Sequence, residues 1–400
     1  MRFFQGGERI GRELSSIVLG KILKVQKINL FDLRMALERG EIRKILLVRN
    51  YQGMGDLLCT TPVISGLKSR FPSASIHFLA NTFNAAALQN NPGIEKVWAW
   101  DERRKADPRQ WIGFRKRLKQ ERFDLALVLS GNALSLTAIL LANLSGARWV
   151  VGYETKSYGQ DWGPRLYSYE VPWNPALREI DRYAGLVEAL GIPCANRFPE
   201  FFIRPDQAAF AEDYWNERFP SKGIPVVGVF LGGKVDRTDR IWPPENYARV
   251  ARRLVENSGC ALLAITPPRA EQPSLHKRES TFWMDEEVHE REFHRAYGEQ
   301  CPVFCDSDIG HVAAILRKLT LFICPDGGIM HLAAAVRTPT LALFFGTNPD
   351  IWHPPVASSH YLRAPENHPC ALDPEKVVQK ALQILNLTPK TTEHSLNENR

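Results

Sequence analysis

The sequence has no apolar run long enough to cross a bilayer, and its first residues lack an apolar stretch followed by a small-residue cleavage site. Neither a membrane-spanning nor a conventionally secreted protein is expected. Cysteine is sparse: seven residues, an odd number without framework spacing, argue against a disulfide scaffold and for a reducing cytoplasm. Excess charge of one sign is also modest. A net charge of +7, with no recognised binding motif beside it, does not indicate a nucleic-acid partner. His276, His289, His294, Cys301, Cys305 and His311 follow no zinc spacing, so neither a metal nor a cofactor is expected.

What the chain does have is bulk. Four hundred residues, 44% apolar and 24% charged, are suited to two globular domains of ordinary size. Its cations cluster in Arg103-Arg104-Lys105 and in Arg115-Lys116-Arg117-Leu118-Lys119. Such runs are usually solvated helix faces, a reading that the periodic Phe114, Leu118 and Phe123 support. Attraction to an anionic acceptor or membrane surface is the other reading. Residues 1–40 stand apart as a basic extension. Leu14, Ile17, Val18, Ile22, Val25 and Ile28 form an apolar stripe beside Lys21, Lys24 and Lys27, so residues 10–28 read as an amphipathic helix. It either docks on its own protein or lies on a membrane surface.

From residue 43 the pattern alternates. Strands at 44–48, 75–80, 97–100, 124–129 and 149–151 are separated by helix-length segments, and 153–174 reads as a long loop. After a helix at 178–190 and a boundary near 195 the alternation restarts. Strands are expected at 225–231, 261–265, 319–323 and 340–345, with helices at 206–219, 245–257 and 310–318. The fold class is therefore α/β, with two doubly wound parallel sheets in tandem. The expected divisions are 1–40, 41–195, 196–387 and a polar tail at 388–400. The charged stretch 269–300 is expected to form a lid or protruding excursion.

Three glycine turns carry the chemistry. Cys324-Pro325-Asp326-Gly327-Gly328 follows an apolar run and opens an alanine-rich segment. Strand, glycine turn and helix N-terminus present free N–H groups and a dipole to an anion, and Asp326 and His331 put polar groups at the same edge. An ordinary turn with an aspartate cap fits the same residues. Gly53-Met54-Gly55-Asp56 also lies at a strand's carboxyl end. It is not a dinucleotide fingerprint, because Asp56 stands where a phosphate would approach. An ionised aspartate in a cleft can accept a hydroxyl proton; it can equally be an N-cap without chemistry. Gly232, Gly233 and Lys234, with Arg237 and Arg240 close behind, could clamp a diphosphate. Trp242-Pro243-Pro244-Glu245 reads equally well as a helix start.

Taken together, Gly53-Met54-Gly55-Asp56 with Thr60-Thr61-Pro62, Trp242-Pro243-Pro244-Glu245-Asn246-Tyr247, and Asp326-Gly327-Gly328-Ile329-Met330-His331-Leu332-Ala333-Ala334-Ala335 resemble the heptosyltransferase family, glycosyltransferase family 9. Phe345-Gly346-Thr347-Asn348-Pro349-Asp350 extends the resemblance. It implies a GT-B fold, two Rossmann-like domains facing a cleft, with acceptor on the N-terminal side and nucleotide-sugar on the C-terminal side. It also implies an inverting, metal-independent transfer, commonly of heptose from an ADP-sugar to a glycan or lipid-linked acceptor such as lipopolysaccharide core. By position, Asp56 would be the general base, with Gly53, Gly55 and Thr60 on the acceptor side. Asp326 would contact the donor, with the backbone of Gly327 and Gly328 and the side chain of His331 near the diphosphate. Gly232, Gly233, Lys234 and Arg240 would complete the donor site, Arg240 falling where many members carry lysine. Glu271 would hold the ribose. Gly327 stands where well-known members have threonine. A cytoplasmic protein is expected, with peripheral contact at the inner face of the cytoplasmic membrane left open.

Overall fold

The computed structural model describes residues 25–160, 163–232, 240–268 and 286–385. Two compact units divide the chain, one formed by residues 1–202 with 350–355 and the other by 203–349 with 356–400.

The first unit is built on β1 (Lys44–Arg49), β2 (Ser75–Asn81), β3 (Lys96–Trp100), β4 (Leu125–Val128), β5 (Trp149–Tyr153) and β6 (Tyr169–Val171). All pair in parallel, in the order β3-β2-β1-β4-β5-β6. The central strands Lys44–Arg49 and Leu125–Val128 are continuous aliphatic runs because both faces are covered, and every residue of β4 is buried. The covering helices are α1 (Leu30–Glu38), α2 (Met54–Leu58), α3 (Thr61–Arg70), α4 (Pro108–Glu121), α5 (Leu136–Leu144) and α6 (Glu179–Glu188). Helix α4 turns Phe114 and Leu118 into a core that includes Leu46, Val48, Trp98 and Trp100.

The second unit repeats the design with β7 (Val226–Phe230), β8 (Ala261–Thr266), β9 (Val303–Cys305), β10 (Leu321–Pro325), β11 (Thr340–Phe344) and β12 (Ser359–Arg363). Their order, β12-β11-β10-β7-β8-β9, is the first unit's order again when each unit is counted from its own first strand. That is the doubly wound dinucleotide-fold order. Helices α7 (Pro205–Arg218), α8 (Pro244–Ser258), α9 (Glu286–Tyr297), α10 (Ile309–Lys318), α11 (Gly328–Ala335) and α12 (Pro374–Ile384) complete it.

Several expectations need correction. The stretch 153–174 is not all loop: Tyr169–Val171 pairs with β5 as an edge strand, too short to show a periodicity. Strands β9 and β12 are likewise edge strands without an apolar run to announce them. Within 269–300, residues 286–297 are neither lid nor protrusion. They form α9, whose Phe293 is fully buried in the core and whose Tyr297 carbonyl accepts from Arg252 of α8 at 3.0 Å.

Most of the 10–28 amphipathic segment lies outside the described residues. Residues 25–29 are not helical, because Asn29 caps α1, its side chain accepting the Asp32 N–H at 2.8 Å. This described end docks on its own protein, with the Ile28 N–H on the Ser168 carbonyl at 3.3 Å and Leu33 and Leu37 buried. Among the described residues no helix is long and apolar enough to cross a membrane.

Candidate active site

In both units the strand order reverses beside the first strand, between β1 and β4 and between β7 and β10. Open α/β sheets bind ligands at the carboxyl ends of the strands flanking such a reversal. The singled-out turns follow β1, β7 and β10.

After β1 the chain at 50–53 is held by side chains distant in sequence. Asn81 Nδ2 donates to the Asn50 carbonyl at 3.2 Å, and Asn84 Nδ2 donates to the carbonyls of Tyr51 and Gly53 at 2.9 and 3.2 Å. The Ser135 hydroxyl donates to Asn50 Oδ1 at 2.9 Å, and Asn50 Nδ2 to Glu102 Oε2 at 3.1 Å. Helix α2 starts from this fixed turn and sets Asp56 in its first turn, where the dipole favours a carboxylate. Asp56 Oδ1 accepts from Arg49 Nη2 at 2.9 Å, and Oδ2 lies over Gly53. A β-carbon at Gly53 would stand 2.1 Å from Oδ2, so only glycine fits beneath the carboxylate.

Arg49 is 3% exposed. Burial by itself would drive its proton off, but Tyr183, Asp56 and Glu179 around it raise its pKa above the usual arginine value, so it is a permanent cation. Its guanidinium carbon lies 5.1 Å from the Tyr51 ring centre and 5.5 Å from that of Tyr183. Gly55 is buried within α2. Thr60, named for the acceptor side, is fully buried, and its hydroxyl donates to the Leu57 carbonyl at 2.6 Å between α2 and α3.

In the second unit, Asp326 directly follows β10. Its Oδ2 accepts from the Thr347 hydroxyl and lies 3.5 Å from Arg240 Nη1. The structure thus brings together two residues singled out in sequence, and adds Thr347, which the sequence placed in a motif without a role. Gly327 is the N-cap of α11 and, as glycine, contributes no side-chain cap to the first N–H groups of this helix. Its backbone is extended (φ 171°), and a β-carbon there would meet nothing within 4 Å. Glycine is therefore not required at 327 by geometry, and the space a side chain would fill is open. Gly328 begins α11, and His331, on its first turn, is buried. Gly232 lies two residues past β7, where a β-carbon would meet the Phe230 ring and Pro267 at 2.6 Å. Gly233, Lys234 and Glu271 lie outside the described residues. Cys324 is fully buried and burial pushes its thiol up, which removes it as a nucleophile.

The sequence profile of glycosyltransferase family 9 (heptosyltransferase) matches residues 111–381, well over half of the chain. The chain belongs to glycosyltransferase family 9. Lipopolysaccharide heptosyltransferase 1 of Pseudomonas aeruginosa is 24% identical to this family 9 enzyme over 319 residues, 76% of this chain and 79% of that protein. Lipopolysaccharide heptosyltransferase 3 of Escherichia coli is 23% identical over 308 residues, 75% of this chain and 82% of the relative. Among solved structures, a family 9 glycosyltransferase from Veillonella parvula superposes with a TM-score of 0.72 at 18% identity, over 86% of this chain and 97% of that one. The E. coli heptosyltransferase WaaC with ADP gives 0.67 at 18% identity, over 85% and 99%. The paired sheets of identical order are accordingly those of a GT-B glycosyltransferase.

Proposed function

We propose that this glycosyltransferase moves a sugar, heptose or a close relative, from an ADP-sugar to a lipid-linked glycan of the cell envelope such as lipopolysaccharide core. The observation that carries the reading is Asp56: a carboxylate at a strand-order reversal, gripped by a buried arginine on one oxygen and backed by a glycine under the other. That is how a general base is held for use. In the reaction, an acceptor hydroxyl oxygen bonds to the anomeric carbon while its proton passes to Asp56. The bond from that carbon to the diphosphate breaks, and its electron pair leaves with ADP. Arg240 beside Asp326, with Gly232, the Gly327–Gly328 amides and His331, receives the growing negative charge. A cation in this place can serve a transfer that uses no metal, and attack opposite the leaving group inverts the anomeric centre. Gly233, Lys234 and Glu271 are assigned to the same donor side. Residues 41–195 then form the acceptor domain and 196–387 the donor domain.

The named relatives act on lipopolysaccharide, and neighbouring structures were solved with ADP and with ADP-2-deoxy-2-fluoro heptose, which supports this choice of acceptor and donor. A lipid-linked acceptor also favours peripheral contact with the membrane's inner face, to which residues 10–28 and the outward cations of α4 are suited.

Asp56→Asn is expected to cost roughly 10²–10⁴ in transfer rate. Protection against thermal unfolding by ADP should be kept, because a native-state ligand raises Tm wherever its own site is intact. A near wild-type rate in this variant would remove Asp56 from the role. Failure of ADP, UDP, GDP and dTDP sugars alike to raise Tm would remove the donor reading.

A further inference from the structure

Behind Arg49 lies a buried group of charges that the transfer described above does not use. Glu179, Arg182 and Tyr183 are each fully buried on the first turns of α6, on one face at spacings of three and four. The Tyr183 hydroxyl donates to Glu179 Oε1 at 2.7 Å, and the Asn132 N–H adds a second donor to the same oxygen at 3.2 Å. Oε2 pairs with Arg182 Nη1. That nitrogen also donates to Asn132 Oδ1 at 2.8 Å, while Arg182 Nη2 is spent on the carbonyls of Leu177 and Pro175 at 2.8 and 3.2 Å. Asn132 belongs to the turn after β4, across the strand-order reversal from Asp56. With Arg49 and Asp56 the group holds two cations and two anions, so its formal charge is zero.

Two observations set this apart from ordinary packing. Gly131 leaves room for it: a β-carbon there would stand 1.5 Å from Glu179 Oε1 and 2.4 Å from the Tyr183 hydroxyl. Burying three charges, Arg49, Glu179 and Arg182, is also costly, and apolar residues of similar volume often serve stability as well or better. The ring of Tyr183 lies against the Arg49 guanidinium and its hydroxyl is held by Glu179, so the group ends at the arginine that grips Asp56.

We propose that Glu179 is a positioning residue for the transfer: acting through Tyr183 and Arg49, it fixes the Asp56 carboxylate and offsets the positive charge that Arg49 brings to it. This rests on Asp56 being the base. Tyr183 is held by Glu179 and lies against Arg49, which grips Asp56, so Glu179 orients the carboxylate without touching either substrate.

The charged and titratable groups facing it are Arg49 from β1, Asp56 from α2, Arg182 and Tyr183 from α6, Tyr153 at the end of β5 and Tyr158 just after it. Burial pushes the three tyrosines up, so they stay neutral across an assay range around neutral pH.

The test measures transfer by the full chain from ADP-heptose to deacylated lipopolysaccharide core, for Glu179→Gln, Asp56→Asn and the double variant. Glu179→Gln should lower kcat roughly tenfold, as a base held in a less exact position would. KM for ADP-heptose and the Tm gain from ADP should be unchanged, a split that a general loss of structure would not give. In the Asp56→Asn background the same change should have no further effect. If Glu179→Gln does not fold, Tyr183→Phe keeps the ring under Arg49, removes the link, and should show the same kcat loss in smaller degree. Wild-type kcat would overturn the proposal, as would a loss that falls on KM instead. So would an equal loss in the Asp56→Asn background, which would mean that Glu179 acts independently of Asp56. If Asp56→Asn alone keeps its rate, the base assignment fails first and the positioning role falls with it; an inactive Asp56→Asn beside an unaffected Glu179→Gln would sink only the latter.

Discussion

Arg240 and Gly327 make the sharpest single-residue predictions, because each stands at the donor turn and neither is needed there for the fold. Arg240 sits 3.5 Å from the buried Asp326 and is a quarter exposed. Arg240→Met should slow transfer about ten- to a hundredfold, the worth of a charge-assisted hydrogen bond on the leaving group, with Arg240→Lys recovering much of it. An unchanged rate for Arg240→Met in a steady-state assay would take Arg240 off the leaving diphosphate. At Gly327 the extended backbone and open surroundings admit a side chain. Gly327→Thr should leave Tm within about 2 °C of the parent, since changes away from packed groups stay within about 0.5 kcal/mol. Its effect should instead be a changed ranking of ADP-sugars in competition assays. A large fall in Tm would show that the space is not free. Asp56, Asp326 and Arg240 were legible in the sequence because each adjoins a glycine turn after an apolar run. The burial of Thr60 was not legible, because a motif position does not reveal which way its hydroxyl points. Arg49 heads the stretch leading to the Gly53–Asp56 turn without a motif role of its own, and Glu179 lies in no motif: Arg182 and Tyr183 stand one turn along the same helix, but Asn132 and the link through Tyr183 to Arg49 arise only through folding.

Among the secondary-structure elements, α7 and α10 are joined by one carboxylate. Asp308, the N-cap of α10, accepts the Gly310 N–H at 2.7 Å and the Gln207 Nε2–H at 3.0 Å, and Gln207 in turn accepts the Arg204 N–H at the start of α7. Burial works against the charged form of Asp308, but these donors outweigh it and lower its pKa. A depressed folded-state pKa means stability that is present above the unfolded value, near 4, and is lost as pH falls through the folded one. Asp308→Ala should therefore cost about 1 kcal/mol at neutral pH and progressively less in acid, as read by urea unfolding at several pH values. A cost that is the same at every pH would assign it to packing. Elements with strong internal patterns were readable: β1, β4, β7 and β10 as continuous apolar runs, and α8 by its proline start. The edge strands β6, β9 and β12 were not, since three to five residues with one neighbour and an exposed side carry little pattern.

For the whole molecule, the charge distribution bears on where it works. The run Arg103-Arg104-Lys105 is less free than its sequence suggests, because these cations pair with Asp101, Asp107 and Glu102. Helix α4, by contrast, turns Arg109, Arg115, Lys116 and Lys119 to solvent beside Ile112, which is 68% exposed. Flotation with vesicles containing phosphatidylglycerol should carry the protein at low salt and release it at high salt, as screening predicts. Removing residues 1–24 should reduce flotation only if that segment takes part. Salt-independent flotation, or none, would argue against electrostatic adsorption. Alternation along the chain revealed two parallel sheets, but not the strand order within them, which depends on which distant edges meet. That order has a consequence for reading natural variation. Gly131 lies in no motif and touches no substrate, yet any side chain there must displace a carboxylate pinned by Tyr183, Asn132 and Arg182. An allele carrying Gly131→Ala would keep every recognisable signature of the family and pass as intact in a genome comparison, while the enzyme it encodes would lose about as much kcat as Glu179→Gln.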